Sequence, residues 1–205
     1  MNDSVKKLKQ VAPTPRDFFE SYSVSLQMEF LQVNVSLPLL AESEVFPKLA
    51  VVAEAYGKDT LLLWLRSQYQ SFAQFWGPNR EVVDSDLRQL ALITFGQCSS
   101  LNVGEILWFI AGLKSQRFGN LYDASPLKIS GALQSFLSER SQTLQEWESE
   151  REKQRMLEKQ QEEEARINSR ENLESCLQYF IKTNNNAFAD IYRRRLADYD
   201  QNHPK

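Results

Sequence analysis

No glycine or proline interrupts the stretch from residue 132 to residue 202 of this 205-residue chain. Residues that break helices or supply tight turns are thus absent from a third of the molecule, and charged and amide residues fill it. Such a run supports long helices and little else. From Glu139 to Glu171 it holds ten acids and seven bases, with Leu144, Trp147, Met156, Leu157 and Ile167 as its large apolar residues. Opposite charges meet at helical spacing in Glu148 and Arg151, Glu150 and Lys153, Glu152 and Arg155, Lys159 and Glu163, and Glu162 and Arg166. Like charges at Glu148 and Glu152, Arg151 and Arg155, and Glu158 and Glu162 offset part of that gain. The apolar positions keep no seven-residue register, so the segment reads as a solvated helix and not a coiled-coil seam. The 33 residues from 138 to 170 would extend roughly 50 Å.

The preceding part has a different texture. From Arg16 onward Phe18, Phe19, Tyr22, Leu26, Phe30 and Val33 recur at helical spacing, and Val35 to Pro38 breaks the run. Ser43 caps a second predicted helix, with Phe46, Leu49, Ala53 and Tyr56 on its apolar face and Gly57 as its stop. Asp59 caps a third, striped by Leu61, Leu65, Tyr69, Phe72 and Trp76 and ended by Gly77-Pro78. Its extra apolar surface at Leu62, Leu63 and Trp64 makes it central to a bundle. A fourth begins at Asp84 or Ser85 and runs up to Gly96. Asn102, with Glu105 three residues on, forms a capping box for a fifth carrying Ile106, Phe109, Ile110 and Leu113. Residues 117–123 are a turn-rich connector, and Ser125-Pro126 opens the sixth helix.

The chain is therefore expected to be all-α, a compact helical bundle followed by a long charged helix and a short C-terminal helical hairpin. The parts are a flexible N-terminal lead over 1–15, the bundle over 16–137, a polar arm over 138–170 and the hairpin over 171–205. The hairpin carries Leu173, Cys176, Leu177, Tyr179, Phe180 and Ile181, a turn at Asn184-Asn185-Asn186, and a last helix over 187–199 with Phe188, Ile191, Tyr192 and Leu196.

Composition narrows the function classes. The only histidine is His203, so catalysis or metal ligation by an internal imidazole is not expected. Cys98 and Cys176 lie far apart and suit a reducing cytoplasm. The longest apolar runs, 61–65 and 106–113, are too short to span a bilayer, so no membrane partner is expected. No acid pair has the spacing of a general-acid/base site, and the Glu162-Glu163-Glu164 run reads as a solvated face. No enzyme activity, cofactor or metal is expected.

Three places carry candidate contacts. Tyr192 precedes Arg193-Arg194-Arg195, whose guanidinium groups suit phosphate. Consecutive helical residues fan about 100° apart, however, and residues 182–205 total five bases against three acids. Lys114 and Arg117 precede the Gly119 turn and the next helix start, where an anion could sit, although such a segment more often packs its Phe118 and Tyr122 under a bundle corner. Trp147 is a large aromatic on an otherwise polar helix, suited to the bundle or to a partner.

The pattern Phe109…Gly112-x-Lys114-x-x-Arg117-Phe118-Gly119-x-Leu121-Tyr122-Asp123, followed by Phe136-Leu137-x-Glu139-Arg140, resembles one in small helical proteins from phages and mobile elements of Bacteroidetes-type bacteria. It covers roughly residues 88–140. The resemblance implies a phage or plasmid accessory role, in DNA replication in its sharpest form, and brings no catalytic residues. The resulting expectation is a non-enzymatic helical adaptor with a protein partner. The alternatives are a self-assembling scaffold whose arms pair between chains, and a nucleic-acid-binding regulator using the basic C-terminal helix.

Overall fold

A computed structural model of the chain describes residues 2–33, 35–75, 83–119 and 125–203. The expected helix stop at Gly77-Pro78, the stripe residue Trp76 and the motif residues Leu121, Tyr122 and Asp123 lie outside the described residues. The architecture is all-α. Among the described residues there is no strand, only one antiparallel bridge between Lys48 and Asn102.

The helices are α1 (Asp3–Val11), α2 (Pro15–Ser21), α3 (Ser25–Gln32), α4 (Leu37–Glu42), α5 (Leu49–Tyr56), α6 (Lys58–Phe75), α7 (Asp84–Cys98), α8 (Val103–Lys114), α9 (Pro126–Ile167), α10 (Arg170–Lys182) and α11 (Asn186–Asn202). They divide into two compact units, Met1–Trp147 and Glu148–Lys205. The first unit extends ten residues beyond the expected end of the bundle at 137, and one unbroken helix, α9, runs through the expected boundary.

The N-terminal unit is built around α8. Every residue of α8 is buried, as an all-round apolar sequence requires. Its first turn is closed by the expected capping box: Glu105 N–H donates to Asn102 Oδ1 (2.9 Å) and Asn102 N–H donates to Glu105 Oε2 (2.9 Å). Helices α3, α4 and α6 pack on α8, and α5 and α7 pack on α6. The α6 stripe of Leu61, Trp64, Leu65, Tyr69 and Phe72 is fully buried. The start of α9 adds Ile129, Ala132, Leu133 and Phe136 to the same core.

The N-terminal lead, expected to be flexible over 1–15, is instead ordered. Asn2 and Thr14 cap α1 and α2, and Val5, Leu8 and Ala12 are buried, with α1 packed on α5. Their i, i+3, i+7 spacing is an apolar stripe narrow enough to be masked by the surrounding lysines. The helix expected from Arg16 is two helices. The break at Tyr22 is held by tertiary bonds, since the Trp64 indole N–H donates to the Tyr22 carbonyl (2.7 Å) and Tyr22 Oη donates to the Val45 carbonyl (2.8 Å). The run breaks as expected before Pro38, which then sits in the first turn of α4, where a proline loses no needed hydrogen bond.

Ser43 is not an N-cap. It ends α4, and 43–48 is a bent, non-helical connector until Leu49 N–H bonds the Leu101 carbonyl (2.9 Å) and Val103 N–H bonds the Pro47 carbonyl (2.9 Å). Gly57 is the expected stop, with a φ of 91° that favours glycine.

In the C-terminal unit, Ser169 caps α10 and accepts from Asn172 N–H (3.3 Å). The expected asparagine turn is present, with Asn184 at a φ of 55° and Asn185 capping α11. Helices α10 and α11 pair as a hairpin, and only Leu173 and Ala189 in it are buried.

Candidate functional site

The corner after α8 is made by Ser115, Gln116, Arg117 and Gly119. Arg117 N–H bonds the Gly112 carbonyl (2.9 Å), and Ser115 Oγ donates to the same oxygen (3.2 Å). A Cβ on Gly112 would stand 2.6 Å from the Phe118 ring, so glycine is what lets that ring lie against the helix. Phe118 then meets Phe109 (5.4 Å) and Phe136 (6.0 Å), and Phe109 meets Phe136 at 5.1 Å. The described part of the 109–140 pattern is thus a packing corner: Phe109, Phe118 and Phe136 form one ring cluster, and Arg117 pairs with Glu139 beside it.

Lys114 and Arg117 do not converge on one anion site. The Lys114 ammonium donates to Ser71 Oγ (3.0 Å) and lies 5.6 Å above the Phe75 ring. Its side chain is largely withdrawn from water, and burial lowers its pKa. Arg117 turns elsewhere, with its guanidinium 4.5 Å over the Trp108 ring and paired with Glu139. Beside it an open cleft of about 280 Å³ is lined by Phe30, Val35, Trp108 and Arg117, among others. The neighbouring Arg140 pairs with the buried carboxylate of Glu105, tying α9 to the α8 cap. That partnership was missed in the sequence, although both residues were singled out there for other reasons.

Trp147 is the last residue of the N-terminal unit and is half-buried. Its indole N–H is shielded from solvent and has no hydrogen-bond partner among the described residues.

The third candidate lies within the C-terminal unit. Arg193 pairs with Asp190 at 2.5 Å, and Arg195 donates to Asn168 Oδ1 (2.6 Å) and lies over the Tyr192 ring at 5.5 Å. Arg194 has no ion-pair partner among the described residues. Of the three arginines, Arg193 is thus the one held in an ion pair among the described residues. Tyr192 instead belongs to an aromatic cluster centred on Phe180. The Phe180 ring stacks on Phe188 (5.2 Å) and Tyr192 (5.5 Å), and Tyr179 meets it edge-on at 5.3 Å. This cluster is the site that sequence reasoning did not assemble. Its signal was the Tyr179-Phe180 pair facing Phe188 and Tyr192, which are spaced i, i+4 on the next helix.

Among the described residues no group of three His, Cys, Asp or Glu side chains could hold a metal, and no helix is long and apolar enough to cross a membrane. Compared with known proteins, the chain matches no family model, no curated protein and no solved structure.

Proposed function

We propose that the chain is a non-enzymatic helical interaction protein that meets its partner through the C-terminal hairpin. One observation carries this reading. Tyr179, Phe188 and Ile191 remain half-exposed or more, at 62%, 49% and 50%, around an aromatic cluster in a hairpin with almost no core. Aromatic residues of this kind anchor protein interfaces, because they bury much area at little cost in side-chain entropy. The N-terminal unit is the stable platform in this reading. The resemblance over residues 88–140 extends it to an accessory role in a phage or mobile element, with DNA replication as the sharpest form. A cytoplasmic location fits the two free cysteines.

The nucleic-acid alternative draws less support. Phosphate binding needs a dense cationic face, and Arg193 and Arg195 already hold partners within the unit. The test is a photo-crosslinking residue at position 191 of the full chain, with one at exposed position 54 as the control. A discrete protein adduct from 191 and none from 54 is expected. Equal labelling from both positions, or none from either, contradicts the reading.

A further inference from the structure

The hairpin of α10 and α11 is an incomplete layer. Two helices side by side bury one stripe between them, and a second layer is needed to cover the faces that remain. Here the shared stripe buries only Leu173 and Ala189. The cluster of Tyr179, Phe180, Phe188 and Tyr192 stays partly open, and Ile191 lies one turn along the same flank of α11 as Phe188.

Resting on the interaction reading above, we propose that the occupant of this face is the same hairpin of a second copy of the chain, the two pairing as a four-helix bundle. The missing layer must be a helical pair with an apolar stripe and a rim of mixed charge, and α10 with α11 fits that description. Residues 170–203 carry five bases (Arg170, Lys182, Arg193, Arg194 and Arg195) and five acids (Glu171, Glu174, Asp190, Asp198 and Asp200), a net charge of zero with His203 neutral. Two copies therefore meet without net repulsion, whereas a polyanion finds no net attraction. A two-fold arrangement lets one patch serve both sides. Stable pairing needs about 800 Å² from each copy, a footprint of twenty or more residues a side. The hairpin draws its face from two adjoining helices of 13 and 17 residues.

The test is light scattering during size exclusion of the full chain over a dilution series. The expected result is a mass twice that of the chain at high concentration. In the double variant Phe188→Glu with Ile191→Glu the mass should halve, with helical circular dichroism unchanged because both side chains are half-exposed in the single chain. As a second variant, Met156→Glu with Leu157→Glu on α9 should leave the doubled mass intact. A wild-type monomer at every concentration overturns the proposal. So does a dimer that survives the hairpin variant or dissolves only in the α9 variant, which would place the pairing in the arms. Salt-sensitive binding of single-stranded DNA to a monomer, lost in Arg194→Ala, also overturns it, in favour of nucleic acid. A monomer that still crosslinks a different protein from position 191 removes the second copy and keeps the interaction reading. A monomer with no adduct removes both.

Discussion

The two units differ in how they satisfy their apolar residues. In Met1–Trp147, α8 is buried on every side and α6 buries a full stripe. Some buried polar groups there are paired: Tyr69 Oη shares a hydrogen bond with Thr94 Oγ1 (2.6 Å), and Asn102 Nδ2 donates to the Leu40 carbonyl (2.6 Å). In Glu148–Lys205, by contrast, Met156, Leu157, Ile167, Tyr179, Ile181, Phe188 and Ile191 are all exposed. The N-terminal unit also exposes large apolar residues, among them Val45, Leu63 and Leu127, but around a buried core, whereas the C-terminal hairpin buries only Leu173 and Ala189.

The comparison breaks first at the core. Trp64→Ala should destabilise the N-terminal unit by about 3–5 kcal/mol, because it removes a fully buried ring and leaves the Tyr22 carbonyl without its donor. Urea denaturation followed by circular dichroism measures it. A loss well under that range would mean the unit is not packed as described. The next effect is at the corner. Gly112→Ala should cost about 1–3 kcal/mol by pushing on the Phe118 ring, read from the same denaturation midpoint.

The division between apolar bundle and polar helix was readable because it follows directly from side-chain spacing and from the scarcity of glycine and proline after residue 131. The Asn102–Glu105 box was readable because capping is a local interaction. The break at Tyr22 was not. Its cause is a hydrogen bond from Trp64, 42 residues away, and no local pattern records it. The arginine run was legible as charge, but the ion pair of Arg193 with Asp190 and the hydrogen bond of Arg195 to the Asn168 amide depend on turn geometry and on the preceding helix end. The aromatic cluster was legible as four separate residues. Their union required the asparagine turn to bring α11 back along α10.

Alkaline pH should sharpen the comparison by acting on the N-terminal unit. Cys98 is buried, and desolvation pushes its thiol up to about 12, from an ordinary value of 9.0. The unfolded chain releases this proton near its ordinary pKa, while the folded unit holds it. Stability is therefore unaffected near neutrality and falls as pH rises through the interval between those two values. The Cys98 share should be about 1 kcal/mol at about pH 10, and Cys98→Ala should remove it. If that variant and the wild type lose stability in parallel, the thiol is not buried as described.

The smallest effect is expected on the polar helix. Arg155→Ala removes an exposed pair with Glu152 (2.9 Å) and should change stability by less than about 0.5 kcal/mol in thermal melts. A larger loss would show that the charge ladder, not the bundle, holds this part of the chain.

The most direct test of the central claim is amide hydrogen exchange on the full chain at low and high concentration. Residues 49–75 and 103–114 should exchange slowly and equally at both. Residues 170–203 should exchange fast when dilute and become protected when concentrated, as a second hairpin covers the aromatic face. Equal exchange of 170–203 at both concentrations, whether fast or slow, would contradict the account.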